Sequence, residues 1–118
     1  WELCGPGDEI VFMEPNYFQI HGLARNLGAS VREWWLERPT WQPDLGALDE
    51  LVGPATRLIV VTSPNNPTGA RFDDEFRDAV LQAAERSGAW ILSDEVYRGA
   101  ELDGVETRSM WGDYERLV

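Results

Sequence analysis

RLIVVTSPNNPTG, residues 57–69, changes character at its midpoint, and that change decides the fold. Arg57 to Thr62 carries four branched apolar residues in a row. Such a run does not alternate between polar and apolar positions, so it suits a parallel strand buried on both faces. Ser63 to Gly69 then sets two asparagines between two prolines and a glycine, more special residues than a simple reversal of the chain requires. Pro64 and Pro67 each fix their own φ and push the preceding residue out of the helical region. Ser63 and Asn66 are therefore expected to be extended in a stiff loop, with Asn66 offering a preset amide. Gly69 permits a positive φ or a close approach by another group.

Working outward, Asp73 to Ser87 reads as an amphipathic helix, with Phe76, Val80, Ala83, Ala84 and Ser87 on one face. Acids crowd its first turn, Arg86 sits in its last, and Gly88 is placed to end it. Ala89 to Ser93 (AWILS) is a further buried strand. Strand, helix and strand make a right-handed crossover unit, and adjacent strands would bring their carboxyl ends within about 5 Å. Ligands of open α/β sheets collect at that edge. After the second strand the chain places Asp94-Glu95-Val96-Tyr97 there.

Upstream, Glu9 to Met13 is a strand introduced by Gly5-Pro6-Gly7-Asp8. A helix is predicted from about Asn16 to Leu27, with Tyr17, Ile20, Leu23, Ala24 and Leu27 on one face and Gly28 at its end. Ser30 to Glu37 reads as a strand whose Trp34 and Trp35 point to opposite faces, which implies some cover on both. Pro39 to Pro43 reads as loop, and Asp44 caps a short helix with Leu45, Leu48, Leu51 and Val52 as its stripe. Arg116 to Val118 looks like the opening of another strand. The pattern predicts a three-layer α/β/α fold with a mostly parallel sheet.

Composition narrows the function. The 118 residues are 43% apolar and carry a net charge of −11, from 21 acidic and 10 basic side chains. That balance leaves no basic footprint for nucleic acid and no polybasic patch for a membrane. All ten basic residues are arginine, and there is no lysine. One cysteine, Cys4, excludes an internal disulfide, and with a single histidine, His21, no metal cluster is recognisable. No stretch approaches the roughly 20 apolar residues of a membrane span, and no signal peptide is evident. The chain reads as cytoplasmic.

Asp94 follows Trp90-Ile91-Leu92, so its carboxylate emerges between apolar walls and needs a cationic or hydrogen-bonding partner. A carboxylate, the Asn66 amide and the Tyr97 phenol together suit a flat heteroaromatic ring bearing a basic nitrogen and a phenolic oxygen. Blander readings stand beside this one. Asp94 can cap a helix, Tyr97 can be a half-buried packing residue, and Tyr17 fits the apolar helix stripe. His21 reads as a solvated helix residue, the tryptophans as core and subunit contact, and Trp41 as a candidate for the lining of an entrance.

SPNNPTG and SDEVY, separated by an amphipathic helix and preceded by GPGDEIVFMEPNY, resemble the aspartate-aminotransferase-like family of pyridoxal-phosphate enzymes (fold type I, class I and II aminotransferases). The resemblance covers essentially the whole chain. It implies that Asp94 pairs with the pyridine nitrogen of pyridoxal 5'-phosphate, that Asn66 and Tyr97 hydrogen-bond the cofactor's 3-oxygen, and that Tyr17 stacks on the ring. It further implies amino acid and 2-oxo acid substrates and a homodimer. The family's Schiff-base lysine, its phosphate cradle and its substrate-carboxylate arginine fall outside residues 1–118. The chain is therefore expected to be a central part of the large domain, silent in catalysis by itself. A lyase, decarboxylase or cyclising synthase of the same fold, or a non-catalytic regulator domain that binds the cofactor, are the other readings.

Overall fold

The structure is a computed structural model that describes residues 2–118; Trp1, one of the tryptophans assigned above to core and contact, lies outside the described residues. Five strands form one sheet: β1 (Glu9–Glu14), β2 (Ser30–Glu37), β3 (Gln42–Pro43), β4 (Thr56–Thr62) and β5 (Trp90–Asp94). Three helices intervene: α1 (Phe18–Asn26), α2 (Leu45–Leu51) and α3 (Asp74–Ser87). The spatial order is β3-β2-β1-β4-β5. All pairings are parallel except β2 with β3.

The branched run in β4 is buried on both faces, as its lack of alternation requires. Ile59 and Val61 join Val11, Met13, Trp34 and Ile91 against the apolar faces of α2 and α3. Leu58 and Val60 pack with Ile10 and Phe12 on the opposite face, where α1 contributes Ala24. These two cores make the three layers.

Local signals explain most boundaries. The Asp44 side chain accepts from the Gly46 and Ala47 amides at the start of α2. Asp73 accepts from the Phe76 amide to cap α3, and Gly88 closes that helix at φ 72°, a left-handed conformation that favours glycine. Beyond β5, the Ile91 amide donates to the Arg116 carbonyl, and the Ser93 amide donates to the Val118 carbonyl. Residues 116–118 thus begin a parallel pairing with β5, as the sequence suggests.

Four expectations need correction. Helix α1 starts two residues late, because Asn16 is engaged elsewhere: its amide nitrogen donates to Glu14 and its side chain meets the Thr62 hydroxyl. The stripe of α1 also turns, burying His21 at 4% exposure while Tyr17 and Leu23 stand exposed. His21 lies face to face with Phe18, edge-on to Phe12, and 3.5 Å from the Glu33 carboxylate. Within the stretch read as loop, Gln42 and Pro43 pair antiparallel with Glu37 and Leu36. The expected cover for both tryptophans of β2 holds for one only. Trp34 is buried, stacks on Phe76 and donates its indole N–H to the Asp44 carbonyl, whereas Trp35 is 57% exposed.

Candidate functional site

The parallel register sets the site. Thr62 and Asp94 are direct partners across β4 and β5, and the Ser63 amide donates to the Asp94 carbonyl at 3.1 Å. The strand ends carrying SPNNPTG and SDEVY therefore leave the sheet side by side. The end of β1 joins them through Asn16, whose amide group lies 2.8 Å from the Thr62 hydroxyl.

The two asparagines divide the work of the loop. Asn65 is buried, 3% exposed, and faces inward. Its Nδ2 donates to the Pro15 carbonyl, while its Oδ1 accepts from the Thr68 hydroxyl at 2.7 Å and lies 3.3 Å from the Thr68 amide. Its backbone closes the turn, with Asn65 N donating to the Ala70 carbonyl and accepting, through its carbonyl, from Gly69 N. Gly69 has φ 71°, and an added Cβ would meet nothing within 4 Å, so its role is conformational rather than steric. Ser63–Pro64 and Asn66–Pro67 are cis peptides.

Asn66 faces the other way. Its Nδ2 donates to the Tyr97 hydroxyl at 3.2 Å, linking the exit of β4 to the exit of β5. The pair stands on the rim of an open cleft of about 640 Å³ between the Pro64–Gly69 turn and the segment Tyr97 to Asp103. Among the described residues the Tyr97 hydroxyl donates to none, so its proton is available to an acceptor entering the cleft. An oxyanion seated between Asn66 Nδ2 and Tyr97 Oη would accept from both.

Asp94 stands at the same edge, outside the lining of that cleft. Its Oδ1 accepts from the Val96 amide at 3.2 Å, which makes a turn rather than a helix cap, since residues 96–99 form no helix. Among the described residues no arginine pairs with it. A half-buried carboxylate without a salt-bridge partner, at the same sheet edge as an amide and a phenol, can pair with a cationic group, while the amide and phenol can donate to an oxyanion. Tyr17 projects from the end of β1 at 56% exposure, and Tyr97 is 43% exposed, so neither is a packing residue. The structure thus bonds Asn66 to Tyr97 directly and brings Asp94 and Tyr17 to the same sheet edge.

Three features escaped the sequence reading. Glu14, at the end of β1, has its carboxyl raised by burial against the opposing hydrogen bond from the Asn16 amide. Glu101 accepts from the Gly99 and Thr107 amides, and hydrogen bonding from Thr107 is the main reason its carboxyl is lowered to about 2. Arg71 forms a two-pronged pair with Asp103. A Gly-flanked acid followed by turn residues is the only sequence signal of the last two, and it is too common to single them out. Trp41, considered for an entrance, instead lies beneath the Arg38 guanidinium and packs on the α2–α3 core. Among the described residues no helix is long and apolar enough to cross a membrane.

Comparison with known proteins agrees with this architecture. A family model described as aminotransferase class I and II matches residues 2–116. The chain is 41% identical to capreomycidine synthase of Streptomyces vinaceus over 94% of its own length and 29% of the relative's. It is 30% identical to aspartate aminotransferase of Sulfolobus acidocaldarius over 78% of its length and 24% of the relative's. Among solved structures, a PLP-dependent aminotransferase from Streptococcus suis superposes with a TM-score of 0.88 at 36% identity, over 98% of this chain and 30% of that one. The chain therefore spans less than a third of the length of each of these proteins. A mostly parallel sheet with helices on both faces makes this an α/β chain. More particularly, the chain belongs to the class I and II aminotransferase family.

Proposed function

We propose that this chain forms the pyridine-ring part of the cofactor site in a pyridoxal-phosphate-dependent aminotransferase that moves an amino group between an amino acid and a 2-oxo acid. Residues 1–118 would then be part of its large domain, within a cytoplasmic homodimer. The observation that carries the reading is the Asn66–Tyr97 bond of 3.2 Å on the cleft rim, at the same edge as the uncompensated Asp94.

Pyridoxal phosphate, when bound, supplies a pyridine ring that draws electrons from a bond at the substrate's Cα. Asp94 would hold a proton on the ring nitrogen by a charge-assisted hydrogen bond, and each pKa unit so gained is worth about 1.4 kcal/mol. Tyr97 and Asn66 would donate to the ring's 3-oxygen and favour its ionised form. Tyr17 would cover one face of the ring and exclude water. Having no lysine, the chain cannot itself supply the amine that attaches the cofactor covalently.

One observation favours a second reading. The identity to capreomycidine synthase, 41%, exceeds the 33% to mouse tyrosine aminotransferase, and that relative is named a synthase. Lyase or cyclising chemistry on the same ring site is the corresponding alternative, and assay of the full-length protein for amino-group transfer to a 2-oxo acid separates the two.

The role of Asp94 is tested by Asp94→Asn in the full-length protein. Opposite charges shift pKa values by about 1 to 3 units, so turnover should fall about a hundredfold or more while the cofactor stays bound. Wild-type turnover in that variant would remove Asp94 from the site.

A further inference from the structure

The cleft at the Asn66–Tyr97 pair is framed by a closed circuit of contacts. From Asn65 the backbone turn is locked by its amide donating to the Ala70 carbonyl at 2.8 Å, which fixes the position of Arg71 next to it. The Arg71 guanidinium reaches across the cleft, with Nη2 2.5 Å from Asp103 Oδ2, Nη1 3.1 Å from Asp103 Oδ1 and 2.7 Å from the Val105 carbonyl. Asp103 is held in turn, because its Oδ1 accepts from the Val105 amide. From Asp103 the chain runs back to Tyr97 along a segment pinned by Glu101, which accepts from the Gly99 and Thr107 amides at 2.7 Å each, and by the Ala100 amide on the Tyr97 carbonyl. The Asn66–Tyr97 hydrogen bond closes the circuit.

Among the described residues, Arg71 is the side chain of the 63–71 turn that bonds to this segment on the side away from Asn66 and Tyr97. Both partners of the pair are substantially exposed, 37% for Arg71 and 51% for Asp103, so its weight in stability is small. Its geometry is another matter. A two-pronged guanidinium–carboxylate contact fixes orientation as well as distance, which a lysine in the same place would not do.

We propose that Arg71 is a positioning residue: by clamping Asp103 and the Val105 carbonyl it sets the approach of the Tyr97 hydroxyl to the Asn66 amide, and hence to the ring oxygen that both would share. This inference rests on the pyridoxal-phosphate reading.

The test is a pH titration of the visible absorption band of bound pyridoxal phosphate in the full-length protein, for wild type, Arg71→Ala, Arg71→Lys, Asp103→Asn, Tyr97→Phe and Arg71→Ala with Tyr97→Phe. Hydrogen bonds to the ring oxygen favour its ionised form, so loosening them raises the midpoint of the titration. Arg71→Ala should raise it by about half a unit, a partial loss of one charge-assisted hydrogen bond. Arg71→Lys should resemble Arg71→Ala, because the fork is lost although the charge remains. In the Tyr97→Phe background the effect of Arg71→Ala should shrink, since residues acting through one another are non-additive. Should Arg71→Ala misfold, Asp103→Asn, which keeps the side-chain shape, reads the same shift.

A changed melting temperature with an unmoved midpoint would reduce Arg71 to a surface ion pair and overturn the proposal. So would a shift that persists in full when Tyr97 is phenylalanine. A wild-type protein that develops no visible band with pyridoxal phosphate would instead defeat the cofactor reading, and this inference with it.

Discussion

Two turns leave the same edge of the sheet and are held in opposite ways. The turn after β4, residues 63–70, is fixed from inside: buried Asn65 bonds to Pro15, Thr68, Gly69 and Ala70. The segment after β5, residues 95–107, is fixed nearer the surface by charged side chains, namely half-buried Glu101 on two amides, Asp103 on Arg71, and Arg98 on Glu106 and the Thr107 carbonyl. The difference teaches where rigidity comes from at this site. Interior hydrogen bonds are insensitive to salt and mild acid, whereas bonds to carboxylates nearer the surface last only while those carboxylates are ionised.

The largest effect should come from breaking the inner turn. Asn65→Ala removes the buried side chain's bonds to half-buried Pro15 and Thr68 and leaves the Pro15 carbonyl without its donor, so the full-length protein should lose about 2 to 3 kcal/mol of stability in urea denaturation. Asn66→Ala, one residue along, should leave stability within about 0.5 kcal/mol, because that amide faces the cleft. Equal losses for the two variants would mean that Asn65 and Asn66 do not divide into an inward and a cleft-facing amide.

Next in size is Tyr97→Phe, which tests the bridge between the two turns. Removing a donor worth about 1.5 to 3 kcal/mol to an ionised oxygen should raise the titration midpoint of bound pyridoxal phosphate by about one unit. An unmoved midpoint would mean that the hydroxyl does not reach the ring.

Acid should separate the turns more gently. The Glu101 carboxyl is lowered to about 2 from an ordinary 4.5, so its hold on the outer segment is complete above the ordinary value and is lost as pH falls through the folded one. Amide exchange at Gly99 and Thr107 should therefore accelerate, relative to the intrinsic rate, between about pH 4.5 and 2, while Gly69 and Asn65 stay protected. Smallest of all is Glu101→Gln, expected to leave the midpoint of global unfolding unmoved while abolishing that acid-dependent loosening. Loss of protection at Asn65 over the same range would contradict the contrast.

The same contrast governs what was legible in the sequence. Strand β4 could be read from four branched residues in a row, and α3 from its acids, its stripe and Gly88, because burial and capping act over a few neighbouring positions. The edge where Asn66, Asp94 and Tyr97 emerge followed from the crossover rule, whereas Tyr17 was assigned to it only through the family resemblance. Helix α1 was harder, since its register depends on Asn16 meeting Thr62, 46 residues away in sequence, and on Glu33 and Phe12 accommodating His21. The clamp of Arg71 on Asp103 was invisible for the same reason. Charges at exposed positions carry no periodic signature, and only the folded chain brings these two together across 32 positions.

The charge at position 94 would set the protonation of the ring nitrogen. Nitrogen-15 magnetic resonance of the full-length protein loaded with pyridine-labelled pyridoxal phosphate reads the protonation of the ring nitrogen at neutral pH. A protonated nitrogen in the wild type that becomes unprotonated in Asp94→Asn is the expected result. An unprotonated nitrogen in the wild type, or one whose signal ignores the substitution, would contradict it.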